Sequence, residues 1–305
     1  MAIVLPEGHP SAPLAVAPEV GAGQRRVRIG IINIMPRLEV YEPLLLAPLA
    51  RTPELVEPVF LRLGSHTYQS SDQAHLRAYY RAFELALADG PLDGLILTGA
   101  PVEELPFEDV RYVDELAAIL RYARGHVTTT LGLCWGGLLL GSLVGIGKQV
   151  FPRKLFGVFE DEVLAPGHEL VGDARTLRCA HSRHSGFVIE ELERAAEAGL
   201  VRLLSRGEHT GASLLETPDG RYVAHVGHPE YVGERLAFEW QRDRDLGRTD
   251  VPPPANFDAS APVTTWREHQ DALFAGFVRR AARAATRTAA RTYADAAGLG
   301  AAGTP

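Results

Sequence analysis

Cysteine does chemistry where its thiol can ionise, and one of the two cysteines in this 305-residue chain sits in such a context. Residues 128–141 read Thr-Thr-Thr-Leu-Gly-Leu-Cys-Trp-Gly-Gly-Leu-Leu-Leu-Gly. A short β-prone run ends in Cys134, and small residues and a helix-compatible apolar segment follow at once. That pattern suits a sharp strand-to-helix turn that projects a nucleophile from a sheet edge, with glycines keeping the backbone clear of a substrate. A helix N-terminus there would stabilise a thiolate, and its N–H groups could hold an oxyanion. On this stretch alone, an inert buried cysteine is an equally good reading.

A cysteine nucleophile needs a base and a group that orients the base. The best candidates lie in Val226-Gly227-His228-Pro229-Glu230-Tyr231. If that stretch is extended, His228 and Glu230 share one face and the carboxylate can hold the imidazole. Taken by itself, a His-x-Glu is more often a loop histidine beside a solvated glutamate.

The elements that would position these groups alternate. Residues 26–34 form a nearly continuous β-branched run of the kind buried on both faces. A helix is expected over 39–50, with Pro43 in its first turn. A strand is expected over 56–63, a helix over 70–87, a strand over 93–99 and a helix over 106–124. The strand entering Cys134 completes a β-α-β-α-β-α-β series, which predicts a doubly wound, mostly parallel α/β sheet flanked by helices, with ligands at the carboxyl ends of the strands. The second half is more strand-rich: residues 154–163 and 201–204 are β-prone, and Pro218-Asp219-Gly220 marks a hairpin turn between 213–216 and 221–227. Helices follow at 234–245 and 264–291. Residues 1–25 read as a flexible arm, 26–285 as one domain, and 286–305 as a helical end with a frayed tail.

Composition narrows the classes of function. The net charge of −7, without a lysine or arginine block, argues against nucleic acid as a partner. No apolar run approaches the roughly 18 residues of a membrane span, and the N-terminus lacks signal-peptide order. Cys134 and Cys179 are too few for a disulfide framework and lack metal-ligand spacing. A reduced, cytoplasmic protein acting on small molecules is expected.

Several longer stretches carry a resemblance. They are Ile32-Asn33-Ile34-Met35-Pro36, the run from Asp93 to Glu103 through Thr98-Gly99-Ala100-Pro101-Val102, and His126-Val127-Thr128-Thr129-Thr130-Leu131 with Cys134-Trp135. Lys154-Leu155-Phe156-Gly157-Val158-Phe159-Glu160, His181-Ser182-Arg183-His184, Gly227-His228-Pro229-Glu230-Tyr231 and Trp266-Arg267-Glu268-His269 follow in order. Together they resemble the homoserine O-acyltransferase family, with a class I glutamine amidotransferase-like, flavodoxin-like fold. The resemblance implies ping-pong acyl transfer from acyl-CoA to an amino-acid hydroxyl. Cys134 would be acylated, His228 would be the base and Glu230 its partner. Backbone N–H groups at Trp135 and in the Met35–Leu38 turn, Leu38 included, would hold the oxyanion. Arg242 would bind the acceptor carboxylate, with Lys154 and Ser182 beside it. Glu103, where glycine would admit succinyl, implies acetyl-CoA as co-substrate. No metal or bound cofactor is implied, and a homodimer is.

The chain departs from the family in places. Leu38 stands where a lysine is frequent, Gly136-Gly137 replaces an alanine-rich start, the loop before Lys154 is one residue shorter, and residues 252–257 lack an aromatic-rich pattern. These changes border the acceptor pocket, where one methylene is worth only ~1–3 kcal/mol. L-serine therefore stands beside L-homoserine as acceptor, and succinyl-CoA beside acetyl-CoA as donor. An amidotransferase or amidase and a non-catalytic binding relative are the readings from other classes.

Overall fold

The apolar run 26–34 becomes the centre of the sheet. In the computed structural model, which describes residues 3–14 and 25–283, strand β1 (Arg26–Ile32) pairs in parallel with β2 (Leu55–Arg62) on one side and β4 (Gly94–Leu97) on the other. Its side chains alternate between two cores with the period of a strand: Val27, Ile29 and Ile31 enter one, Ile32 the other. The short β3 (Arg81–Ala82), β5 (Thr129–Leu133) and β10 (Tyr222–His225) complete the parallel part. The ten-stranded order is β3-β2-β1-β4-β5-β10-β9-β8-β6-β7, in which β9 (Gly211–Glu216), β8 (Arg202–Gly207), β6 (Lys148–Val163) and β7 (Thr176–Phe187) form an antiparallel extension.

Helices cover both faces. Helix α1 (Leu38–Ala50) and α8 (Arg267–Ala282) bury Leu45, Leu49, Phe274 and Phe277 in the first core. Helices α4 (Val113–His126), α5 (Trp135–Ser142) and α6 (Ile189–Glu197) contribute Leu116, Ile119, Leu138 and Leu192 to the second. The expected hairpin forms, with Gly220 at φ 67° and the Thr217 N–H donating to the Tyr222 carbonyl. The turns after β1, β4, β5 and β10 all lie at carboxyl ends of parallel strands, where such sheets bind ligands.

Tertiary contacts redraw several expected boundaries. The helix expected over 70–87 is two, α2 (Gln73–Tyr79) and α3 (Phe83–Ala88), because Arg81–Ala82 pairs with β2 and Tyr80 turns extended. Helix α1 starts at Leu38, so Pro43 lies inside it and not in its first turn. Helix α4 begins only at Val113, after a short 3-10 turn at Phe107–Asp109, and β6 begins at Lys148. Helix α7 (Gly233–Asp245) matches its expected span. Part of the presumed flexible arm is packed: Ile3 bridges to Val56, and His9 is buried against Phe60, their rings stacked at 5.0 Å. Residues 15–24 and the tail 286–305 lie outside the described residues.

Glycines permit the crossing of β5 into α5. A Cβ on Gly136 would lie 2.6 Å from the Leu97 carbonyl oxygen and 2.7 Å from that of Thr98. Gly136→Ala is therefore expected to destabilise the protein by about 1–3 kcal/mol or more. Gly125→Ala, with open space at its Cβ near the end of α4, is expected to stabilise it by about 0.5–1 kcal/mol. Urea denaturation midpoints measure both.

Candidate active site

Cys134 is held at φ 49° and ψ −116°, a conformation that L-residues rarely adopt and that marks a strained functional turn. Its N–H donates to the His225 carbonyl at 2.8 Å, pinning the end of β5 to the end of β10. Three residues beyond His225, the His228 N–H donates to the Ala180 carbonyl of β7, also at 2.8 Å. The His228 ring lines the same cavity as Cys134 and is electrostatically coupled to its sulfur. Through Nδ1 it meets Glu230 Oε1 at 2.8 Å.

Residues 228–231 are not extended as anticipated. They form a turn closed by the Tyr231 N–H on the His228 carbonyl, and this turn brings imidazole and carboxylate together. Trp266 Nε1 and Gln270 Nε2 of the C-terminal region donate to the Tyr231 and Pro229 carbonyls at 2.9 and 2.6 Å. The Trp266–His269 stretch singled out in the sequence thus buttresses the turn. The Tyr231 ring stacks on His228 at 4.0 Å.

Burial pushes the Cys134 thiol up, against the pull of His228. Burial would also hold the His228 imidazole low, but the Cys134 sulfur and the Glu230 carboxylate outweigh it and raise it well above its ordinary range. A sulfur and a carboxylate flank the imidazole and favour its charged form. Arg183 is buried nearby, donating to the Ser185 and Thr210 carbonyls and to His181. Burial lowers its guanidinium to about 10, and its charge favours the thiolate. Cys179 differs: burial, then the Glu230 charge, push its thiol well above the usual range.

Cys134, His228, Glu103, Lys154, Ser182 and Arg242 all line one small cavity of about 60 Å³, with Met35, Gly99–Pro101, Tyr231 and Glu239. Glu103 Oε2 lies 3.8 Å from the Cys134 sulfur, and Glu103 Oε1 accepts the His184 N–H at 3.0 Å. Burial raises the Glu103 carboxyl above its ordinary range.

The opposite wall gathers around two acids of α7 that sequence reading missed. Glu239 accepts from Ser182 Oγ, from Tyr231 Oη at 2.9 Å and from Arg235 at 2.9 Å, while Lys154 reaches Asp243 at 2.6 Å. Arg242 pairs with Asp243 at 2.7 Å and is 39 % exposed in its side chain. The signal for Glu239 and Asp243 was their i, i+4 spacing, which puts both on one helix face.

Leu38 does not offer the N–H expected of it. The residue is fully buried away from the cavity lining, and its N–H donates to Ser71 Oγ at 3.2 Å. The Met35 N–H is likewise used by Asn33 Oδ1. The Trp135 N–H opens α5, where a helix supplies no acceptor, and the Gly99–Ala100 turn lines the cavity beside it. Two buried clusters outside this cavity have donor sets a metal could use. In Cys179, His225 and His269 the two imidazoles hydrogen-bond each other at 2.8 Å, and in His9, Glu42 and His75 the carboxylate is shared with Tyr80.

Solved structures of similar shape define the class. A glutamine amido transferase from Methylobacillus flagellatus aligns with a TM-score of 0.53 at 17% identity, covering 87% of this chain and 99% of that one. A glutamine amidotransferase from Thermotoga maritima aligns with a TM-score of 0.51 at 14% identity, over 85% and 99% of the two chains. The fold is thus that of the class I glutamine amidotransferase-like proteins. The family described as homoserine O-succinyltransferase matches residues 17–286. Relatives named homoserine O-acetyltransferase share 36% identity: one from Brevibacillus brevis over 83% of this chain and 84% of its own, one from Petrotoga mobilis over 90% and 92%. The chain belongs to this family of homoserine O-acyltransferases. Among the described residues, no helix is long and apolar enough to cross a membrane.

The charge cluster on α7 sets a pH dependence. Against the effect of burial, Lys154, Arg235 and Arg242 hold the Glu239 carboxyl down to about 2. A depressed folded-state value stabilises the protein above the ordinary carboxylate range, and that contribution is lost as pH falls from about 4.5 towards 2. It is worth on the order of 3 kcal/mol. Chemical denaturation across that window is expected to show the loss in the wild type and its absence in Glu239→Gln.

Proposed function

We propose that the protein transfers an acetyl group from acetyl-CoA to the side-chain hydroxyl of L-homoserine through an acyl-Cys134 intermediate. The observation that carries this reading is the Glu103 carboxyl, 3.8 Å from the Cys134 sulfur in the cavity that also holds His228.

In the first half-reaction the Cys134 thiolate attacks the thioester carbonyl, and the oxyanion forms beside the Trp135 N–H. The tetrahedral species collapses with cleavage of the carbon–sulfur bond to CoA, whose sulfur takes the proton from His228. In the second half-reaction the neutral imidazole accepts the hydroxyl proton of the acceptor as its oxygen attacks the acyl group. Cys134 leaves as thiolate, and the imidazolium is restored. Glu230 steadies that charge throughout. Arg242 offers a guanidinium to the acceptor carboxylate, and Glu239 faces the same cavity as counter-charge for its ammonium group. Lys154 and Ser182 hold Glu239 and Asp243 in place.

Glu103 supports acetyl over succinyl as the donor group. Its side chain fills the space beside the sulfur that a longer acyl chain would need. Whatever fraction of it is ionised also repels a distal carboxylate. Because burial raises this carboxyl, the steric part is the more constant of the two.

CoA release measured with acetyl-CoA or succinyl-CoA, each crossed with L-homoserine or L-serine, tests the reading. The expected result is release with acetyl-CoA and homoserine, and a gain of tenfold or more in the succinyl-to-acetyl ratio of kcat/KM in Glu103→Gly, ~1.4 kcal/mol of discrimination. Preference for serine would reassign the acceptor. Release with succinyl-CoA by the wild type would contradict the role given to Glu103.

A further inference from the structure

Glu230 must keep its charge and its direction while completely buried, and His228 supplies only one of the hydrogen bonds that hold it. The other comes from the Tyr41 hydroxyl of α1, which donates to Oε1, the same oxygen that meets His228 Nδ1. Oε2 has no hydrogen-bond partner among the described residues. A buried carboxylate with so few donors is poorly compensated, and losing one would free it to turn to another rotamer.

From this geometry we propose that Tyr41 is a positioning residue for the base, acting on His228 through Glu230. The inference rests on the catalytic reading of Cys134 and His228 above. Tyr41 is built for a fixed role. The residue is 1 % exposed, its ring meets Tyr231 edge-on at 6.2 Å, and the Arg235 guanidinium lies 5.6 Å from its centre. Tyr231 stacks on His228, so the ring beneath the imidazole and the carboxylate beside it both contact Tyr41. Burial, then the Glu230 charge, push the Tyr41 phenol well above its ordinary range, so it stays a donor. By fixing Oε1 towards Nδ1, Tyr41 keeps the proton on that nitrogen and leaves Nε2 to exchange its proton with Cys134.

A double-mutant cycle on the full-length protein tests this, reading the rate of Cys134 alkylation by iodoacetamide at neutral pH in wild type, Tyr41→Phe, Glu230→Gln and the double variant. Alkylation reports the thiolate held by His228 and needs no acyl-CoA. Tyr41→Phe is expected to slow it roughly ten- to hundredfold, the range of one hydrogen bond to a charged group. In the Glu230→Gln background the same change is expected to cost less than about twofold, because the interaction is already gone. In acyl transfer, Tyr41→Phe should lower kcat and leave KM for both substrates unchanged. Unchanged or faster alkylation, or losses that multiply in the double variant, would overturn the proposal. So would a Tyr41→Phe protein that fails to fold, since the hydroxyl would then be structural. Coupled alkylation without acyl transfer from any donor would leave the positioning role intact and remove the acyltransferase reading alone.

Discussion

One hydrogen bond, from the Cys134 N–H to the His225 carbonyl at 2.8 Å, joins two halves of the chemistry that lie far apart in the chain. It is the last rung of the parallel pairing between β5 and β10. Because the rung is there, the residue that ends β5 and the turn that follows β10 emerge side by side. The backbone at Cys134 is strained for the same reason: the chain must finish that rung and enter α5 at once, and a Cβ on Gly132 would lie 2.5 Å from the Gly136 carbonyl oxygen. Strain of this kind persists only where the surrounding structure over-determines it, and here β4, β10 and α5 all do.

Around that junction the protein buries more charge than a core normally tolerates. Arg183, Glu230, Glu239 and Asp243 are each at most 5 % exposed. Burying such groups costs several kcal/mol apiece unless partners compensate, and most of them have partners. Arg183 donates to two carbonyls and an imidazole, and Glu239 accepts from Ser182, Tyr231 and Arg235. The least compensated is Glu230, whose second oxygen lacks a hydrogen-bond partner among the described residues. That is the place where a missing hydroxyl would be felt most.

The chemistry was legible where it is written in short motifs. The Cys134 turn and His228-Pro229-Glu230 were recognisable because strand-to-helix turns and adjacent acid–base pairs have local signatures, and the alternation of apolar runs announced the parallel sheet. What depends on the chain returning to itself was not. Nothing local marks Tyr41 as a partner of Glu230, 189 positions away. Strand β7 carries Arg178, His181, Arg183 and His184 in a run that reads as polar, yet most of the strand is buried. Leu38 was assigned an exposed N–H from its place in a motif, whereas Ser71, brought in by the loop before α2, takes that N–H. His9 and Ile3 lie in a segment of loop-like composition, and their seats against Phe60 and Val56 help hold it to the fold.

The central claim is that Cys134 carries the acyl group between donor and acceptor. Peptide-level mass spectrometry after incubation with acetyl-CoA alone tests it most directly. The account predicts one acetyl group on Cys134, none on Cys179, and its loss on adding L-homoserine with appearance of the O-acetyl product. An unmodified Cys134 under conditions where acetyl transfer proceeds would contradict a covalent intermediate and leave the strained turn without its assigned purpose.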